Sequence, residues 1–171
     1  STLKETLAKG ITDKEGLKSA ILDANSKILN KYKPLGKQCG TTCSMLVLSQ
    51  SSYWGYHIGD SRIYQFRGNN YKVLTEDHTI LNVKRKKGVE ITSEMKRKYR
   101  STLSRCIGVI PNPRIDYLEG TYTKGDTFVL CSDGFWHFWN LSISDLPKSI
   151  KEVKGFGEKD NITVATVKIK E

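Results

Sequence analysis

The stretch that decides the fold is GDTFVLCSDGFW, Gly125–Trp136. It opens with a turn, continues through an apolar run suited to the interior of a sheet, and then changes to Asp133 and Gly134. Two further pieces have the same form, HIGDSRIYQF around Asp60 and EKDNITVATVKI around Asp160. Each aspartate lies at or beside the end of an expected strand, next to a turn-forming residue. The pattern predicts a sheet protein whose strand ends carry carboxylates.

These three aspartates have an ordinary interpretation and a chemical one. Taken singly, an aspartate in a turn accepts hydrogen bonds from nearby backbone N–H groups. Carboxylates that converge from separate strand ends repel one another unless cations neutralise them. Oxygen ligands without histidine or thiolate suit Mg²⁺ or Mn²⁺, and two such ions about 3.5–4 Å apart can activate a water for attack on phosphorus. The group predicts a divalent-metal site, in which adjacent glycines allow close backbone approach.

Length and composition indicate a single soluble domain over residues 1–171. The chain has 37% hydrophobic and 27% charged residues, which is typical of a globular protein with a proper core. No apolar run reaches the length of a bilayer-spanning helix, and the first ten residues lack an apolar signal core. We therefore expect no membrane association and a cytoplasmic location.

The cysteine pattern agrees with a reducing environment. Cys39 and Cys43 are four positions apart, while Cys106 and Cys131 are isolated. A chain of this size with this spacing does not indicate a disulfide framework, and no paired C-x-x-C set indicates zinc. We expect four reduced thiols that are buried or half-buried.

The net charge of +10 is concentrated in one segment. Residues 84–88 read KRKKG and residues 95–100 read MKRKYR, which together supply eight basic residues within seventeen positions. The runs can form a patch that attracts nucleic acid or phosphorylated protein, or they can be solvated helix faces. Only Tyr99 lies inside them, so the interleaved aromatic residues of a nucleic-acid platform are absent and that partner is not favoured.

Hydrophobic periodicity predicts helices on both sides of a group of strands. Apolar spacing indicates a helix at 14–31, two short helices separated by Gly88 within 79–100, and a helix at 142–153 that Pro147 interrupts. The first four strands are expected to form an antiparallel meander, and the whole pattern favours an α+β domain. The strands are predicted at 41–50, 51–60, 61–68, 70–75, 115–123, 127–131 and 161–171.

Six short blocks, taken in order, resemble the metal-dependent serine/threonine protein phosphatases of type 2C, and most closely the compact bacterial branch. The resemblance implies an αββα sandwich of two antiparallel sheets flanked by helices. It also implies hydrolysis of phosphoserine and phosphothreonine by a metal-bridging water. The blocks are GTT (40–42), GDSR (59–62), LTEDHT (74–79), LSRCIG (103–108), GDTFVLCSDGFW (125–136) and DNIT (160–163).

The resemblance implies ligands for two Mn²⁺ or Mg²⁺ ions, or three in a complete family member. Asp133, with Gly134 beside it, resembles the carboxylate that serves the metal pair, and Asp160 resembles the other C-terminal ligand. Asp60 resembles a ligand of a third, weaker ion. The segment at about 79–103 resembles the helical flap beside the family's active site. The implied partners are phosphorylated proteins and a cognate serine/threonine kinase, and no side chain is assigned a direct catalytic role.

Two features depart from the family pattern. The sequence contains no DGxGG block, the motif that supplies the bridging aspartate, so we expect an N-terminally truncated domain with a partial metal site. We also expect exposed sheet edges that favour self-association. His137 stands where the family usually has a further aspartate, and histidine is a poorer Mg²⁺ ligand. The sequence therefore predicts a partial phosphatase catalytic domain, with an inactive module that binds phosphoproteins or a partner as the alternative.

Overall fold

The computed structural model describes residues 13–155 and 160–170. Five α-helices and seven strands lie in this part of the chain. The helices are α1 (Lys14–Tyr32), α2 (Ile80–Lys86), α3 (Ser93–Lys98), α4 (Asp133–Trp136) and α5 (Leu146–Gly155). The strands are β1 (Cys43–Ser49), β2 (Ser52–Ile58), β3 (Arg62–Arg67), β4 (Asn70–Val73), β5 (Asp116–Thr121), β6 (Thr127–Cys131) and β7 (Val164–Lys168).

Helix α1 forms where the apolar spacing predicts it. The Asp13 carboxylate caps its first turn by accepting a 2.9 Å hydrogen bond from the Gly16 N–H. The helix packs one apolar face, which includes the buried Leu17 and Ile21, against the first sheet. On the same helix, the buried Asn25 side chain accepts a hydrogen bond from the Gly108 N–H, which anchors the loop after LSRCIG.

The strands form two antiparallel sheets, one ordered β1-β2-β5 and the other β4-β3-β6-β7. The predicted continuous four-strand meander is therefore wrong at one connection, because β2 and β3 belong to different sheets. The chain crosses between the sheets at Gly59, whose φ of +116° is unfavourable for other residues. A Cβ on Gly59 would also overlap the Thr42 side chain. The hairpins β1–β2 and β3–β4 agree with the prediction.

Three apolar clusters fill the spaces between the layers. One lies between α1 and the first sheet, and one lies between the second sheet and the helices α4 and α5. The third joins the two sheets, where the Phe128 ring of β6 lies 5.4 Å from the Tyr53 ring of β2 in an edge-to-face arrangement. These layers confirm the predicted αββα sandwich.

The segment between Thr79 and Leu103 contains the two short helices that the sequence predicts. Thr79 caps α2 and Thr92 caps α3, each through a side-chain oxygen that accepts a backbone N–H at 3.2 Å. Thr79 and Leu103 themselves form an isolated antiparallel bridge, so the segment leaves and rejoins the domain at one place.

Other sequence predictions have mixed outcomes. All four cysteines are free thiols, and each is buried or half-buried as expected.

Pro147 does not interrupt a helix, because α5 begins at Leu146 and the first turn requires no proline N–H. The final strand is shorter than predicted, and Glu171 lies outside the described residues. None of the helices in the described ranges has both the length and the apolar character needed to cross a bilayer.

The contact between the sheets gives a stability prediction. Phe128 is fully buried, so we expect Phe128→Ala to lower the free energy of unfolding by about 3–5 kcal/mol through lost burial and a residual cavity. Urea unfolding followed by tryptophan fluorescence measures this change. Val167→Ala, on the exposed edge strand β7, is the control and should cost less than about 1 kcal/mol. Equal losses in the two variants would contradict the assigned core.

Candidate functional site

Asp60 and Asp133 meet at one end of the sandwich. Asp60 lies in the β2–β3 crossover with 6% of its surface exposed, and Asp133 is the first residue of α4. The Trp136 indole N–H donates a 2.9 Å hydrogen bond to the Asp60 carbonyl. The bond connects α4 to the crossover, so the structure brings these two predicted ligands together.

Asp160 is positioned by contacts between its loop and the segment that precedes α4. The Ser132 hydroxyl donates to the Asn161 carbonyl at 3.1 Å and accepts from the Thr163 N–H at 3.0 Å. A Cβ placed on Gly134 would lie 2.8 Å from the Asn161 carbonyl oxygen and 3.3 Å from the Asp160 Cβ. Gly134 thus permits the close packing of the Asp160 loop against the start of α4.

The carboxylates differ in their surroundings. Burial, followed by the negative charges of Asp133 and Asp77, raises the pKa of Asp60 to about 6. Asp160 is exposed, and its carboxylate accepts a 2.7 Å hydrogen bond from the Asn161 N–H, as the ordinary turn interpretation requires. Asp60 is therefore the carboxylate whose ionised form most needs a neighbouring positive charge.

The fit to a divalent cation is partial. The candidate donors are oxygens, and the repulsion between Asp60 and Asp133 is what a cation would relieve. Within residues 13–155 and 160–170, however, no group of three or more His, Cys, Asp or Glu side chains is close enough to hold one ion. Asp60 and Asp133 therefore supply part of the ligand set that a divalent cation needs.

Arg62 and Asp77 form an ion pair that the sequence reasoning left without a role. The Arg62 guanidinium donates to the two Asp77 carboxylate oxygens at 2.9 and 2.7 Å. It also lies 3.4 Å from the Trp136 ring centroid, in a cation–π arrangement. Because Trp136 in turn contacts Asp60, these residues support the site from beneath. Arg62, Asp77 and Trp136 lie within the GDSR, LTEDHT and SDGFW blocks of the sequence. Only the fold shows that these three residues contact one another.

His78 fixes the crossover on which Asp60 lies. The Gly59 N–H donates to His78 Nδ1 at 3.0 Å, and the His78 backbone N–H donates to the Gly59 carbonyl at 2.8 Å. Since Nδ1 accepts, Nε2 carries the ring proton and donates to Asp116 at 2.9 Å. Arg105 binds the two oxygens of the same carboxylate at 2.6 and 3.0 Å. This Arg105 contact lowers the pKa of Asp116 to about 2.

His57 is a second buried imidazole, with its ring centroid 4.7 Å from that of His78. Its Nε2–H donates to the Glu76 carbonyl at 2.9 Å, and Nδ1 is 2.8 Å from the Ser44 hydroxyl, which donates to it. Burial, with a smaller effect from His78, lowers the pKa of His57 to about 4. Both histidines are thus neutral structural residues at neutral pH.

His137 is directed at α4 rather than held in the interior. Its Nδ1–H donates a 2.8 Å hydrogen bond to the Asp133 carbonyl, and its ring stacks on Trp136 at 3.9 Å. The histidine therefore covers the start of α4, where the family pattern usually has an aspartate.

A cavity of about 750 Å³ lies above these groups. Its lining includes the acidic residues Asp60 and Asp77, together with basic residues of α2, α3 and the turn after α3. The residues around it are Asp60, Arg62, Asp77, Thr79, Leu81, Arg85, Lys96, Arg97, Arg100, Trp136 and His137.

The fold and the site define an αββα sandwich with carboxylates gathered at one end. The family model described as protein phosphatase 2C matches residues 1–159, so the chain belongs to that family. It is 30% identical over 142 residues to a serine/threonine phosphatase, stp, of Listeria welshimeri. That alignment covers 75% of this chain and 56% of the relative, so the chain spans about half the length of the curated protein it matches.

Solved structures show the same fold. The S. agalactiae serine/threonine phosphatase superimposes with a TM-score of 0.79 at 27% identity, covering 91% of this chain and 70% of that one. The catalytic domain of the phosphatase PstP, in complex with two manganese ions, gives a TM-score of 0.77 at 22% identity. This second match covers 99% of the present chain and 80% of the PstP chain, and at this identity it supports the fold alone.

The neutral histidines predict a pH dependence of stability. The folded-state pKa of His57 lies below the unfolded value of about 6.5, so its contribution is complete above that pH. As the pH falls towards 4, only the unfolded chain takes up the proton. The free energy of unfolding should therefore fall by about 1.4 kcal/mol per pH unit for this residue. Urea unfolding across this interval measures the slope, which should decrease in His57→Gln and not in the exposed His137→Gln. An unchanged slope in His57→Gln would refute the prediction.

The packing around Gly134 predicts whether an alanine at this position raises or lowers the free energy of unfolding. Replacing a helical glycine with alanine usually stabilises a protein by about 0.5–1 kcal/mol. Here the new Cβ would press on the Asn161 carbonyl, so we expect Gly134→Ala to destabilise the fold by about 1–3 kcal/mol. Urea unfolding decides between these directions, and a gain in stability would show that the Asp160 loop does not pack on α4 as described.

Proposed function

We propose that this chain takes part in the metal-dependent hydrolysis of phosphoserine and phosphothreonine in proteins. The observation that carries the proposal is the approach of Asp133 to the buried Asp60, which lines an open cavity. Two like charges held in one partly dehydrated place favour a bound cation. Membership of the protein phosphatase 2C family supports the reaction class.

In this proposal Asp133, Asp160 and Asp60 are ligands of Mn²⁺ or Mg²⁺, and Gly134 allows the first two to approach each other. Divalent ions, when bound, supply positive charge to the phosphoryl oxygens and lower the pKa of an attacking water. The protein's own contribution is to fix the carboxylates on α4, the crossover and the loop before β7. The two manganese ions of the PstP structure support a two-ion site by analogy.

The neighbouring side chains have positioning roles. Trp136 holds the Asp60 backbone through its indole N–H. The Arg62 guanidinium is already bound by Asp77 on one edge and donates to the Tyr64 hydroxyl at 3.2 Å. We therefore assign Arg62 to supporting Trp136 and Asp60 rather than to binding the substrate phosphate.

Further aspects of the biology follow as parts of the same proposal. The substrates are phosphorylated proteins, and a serine/threonine kinase would supply them. The free thiols support a cytoplasmic setting. The edge strand β7, which is largely exposed, offers unpaired backbone groups through which two copies can associate.

The test is hydrolysis of an aryl phosphate by this chain with Mn²⁺, Mg²⁺ or EDTA. We expect activity that requires the metal and that falls by at least about a hundredfold in Asp133→Asn, because a ligand charge is lost. Asp23→Asn, the same change on the exposed surface of α1, is the matched control and should retain full activity.

Calorimetric titration with Mn²⁺ separates binding from catalysis. Asp133→Asn should weaken Mn²⁺ binding in a sample whose circular dichroism remains that of the unmodified chain. Full activity in Asp133→Asn would contradict the ligand assignment, and a folded chain without Mn²⁺-dependent hydrolysis would contradict catalysis by this chain.

A further inference from the structure

Seven of the eight basic residues in the segment at 84–100 fall into two groups, and Lys87 is exposed outside the cavity. The segment's eight lysines and arginines are accompanied by only two glutamates. Three of the cations are engaged away from the cavity. The Lys86 ammonium pairs with Glu76 at 2.6 Å, while Lys84 and Lys98 lie 5.6 and 5.4 Å from the Tyr99 ring centroid.

The second group faces the candidate site. Arg85, Lys96, Arg97 and Arg100 all line the cavity that Asp60 and Asp77 also line. We call these four residues the basic wall. Lys96 and Arg97 are exposed, and across the described ranges neither of them forms an ion pair. Lys96 and Arg97 therefore present positive charge that no acidic side chain among the described residues neutralises.

The floor cannot compensate this charge. Asp77 is bound by Arg62 through two hydrogen bonds, and Asp60 lies in the buried crossover beneath Trp136. The cavity is lined by residues of both charges, and its carboxylates are the groups to which the proposed cations would bind. An anion that enters it should be attracted to the wall over a distance of about 10 Å at moderate salt.

We propose that the basic wall recognises acidic residues that flank the phosphorylated residue of a protein substrate. The inference rests on the proposed function, since it places the phosphoryl group at the floor and the flanking carboxylates against Lys96 and Arg97. The cavity, at about 750 Å³, has the size of sites that hold a ligand of several groups, so it extends well beyond one phosphate. The substrate class is an acidic phosphopeptide segment.

The geometry favours an acidic peptide over nucleic acid. Binding to a nucleic-acid strand requires cations that follow a backbone and aromatic rings on which bases stack. The four cations surround a single cavity whose floor is acidic. Tyr99, the aromatic residue within the segment, has Lys84 and Lys98 beside its ring.

The test compares fluorescent phosphothreonine peptides that differ only in their flanks, glutamate in one and glutamine in the other. Binding is followed by fluorescence anisotropy in EDTA, where no metal-dependent hydrolysis occurs. We expect the acidic peptide to bind about tenfold more tightly at low salt, and the difference to shrink at about 0.5 M NaCl. With Mn²⁺, the same preference should appear in kcat/KM, mainly through KM.

A pair of charge-reversal variants assigns the effect to the wall. Lys96→Glu/Arg97→Glu should abolish the preference for the acidic peptide, because it reverses the charge that the flanking glutamates meet. Lys87→Glu/Lys98→Glu makes the same change in net charge on exposed residues outside the cavity and should retain most of the preference.

The outcomes separate this inference from the proposed function. Selective binding without hydrolysis would keep the recognition surface and count against catalysis. Hydrolysis of aryl phosphate with no preference between the peptides would overturn the inference alone. Equal loss in the two double variants would also overturn it, as would a single-stranded oligonucleotide that displaces the acidic peptide at lower concentration than the unlabelled peptide does.

Discussion

The paired hydrogen bonds between Gly59 and His78 are the constraint on which the site depends. Two bonds of 3.0 and 2.8 Å join the β2–β3 crossover to the segment before α2. The same imidazole then reaches Asp116 on β5 through its other nitrogen. One neutral side chain therefore fixes the place where the chain passes between the sheets. Because Asp60 directly follows Gly59, the two Gly59–His78 hydrogen bonds also fix the position of Asp60.

The buried polar side chains around the crossover stabilise it because each of them has a hydrogen-bond partner. In the described part of the chain, no buried side-chain nitrogen or oxygen is without a hydrogen-bond partner. Protonation of His78 at Nδ1 would set its new N–H against the Gly59 N–H, so the network excludes the charged form. Arg105 keeps Asp116 ionised, which makes that carboxylate a permanent acceptor for His78. The polar interior thus specifies a single arrangement of the crossover, which an apolar core of the same volume would not.

The sequence predicted the layers of this fold better than their connections. Alternation and turn residues locate β1 to β4, yet alternation is the same whether a strand pairs with the preceding strand or crosses to another sheet. The change of sheet at Gly59 is therefore not visible in the pattern. The sequence singled out the three aspartates because strand-end carboxylates are chemically distinctive, and their role as metal ligands stays a prediction. Arg62, Asp77 and Trp136 were not, because their importance lies in contacts between segments that are far apart in the chain.

The distribution of charge connects the site to its surroundings. Asp60 is costly to ionise where it lies, since burial and its acidic neighbours raise its pKa to about 6. No ion pair joins Asp60 to the basic wall, and in the proposed function a bound cation offsets the cost of ionising it. Under the two proposals, residues of both charges in one cavity would let a metal at the carboxylates and an acidic segment at Lys96 and Arg97 bind together.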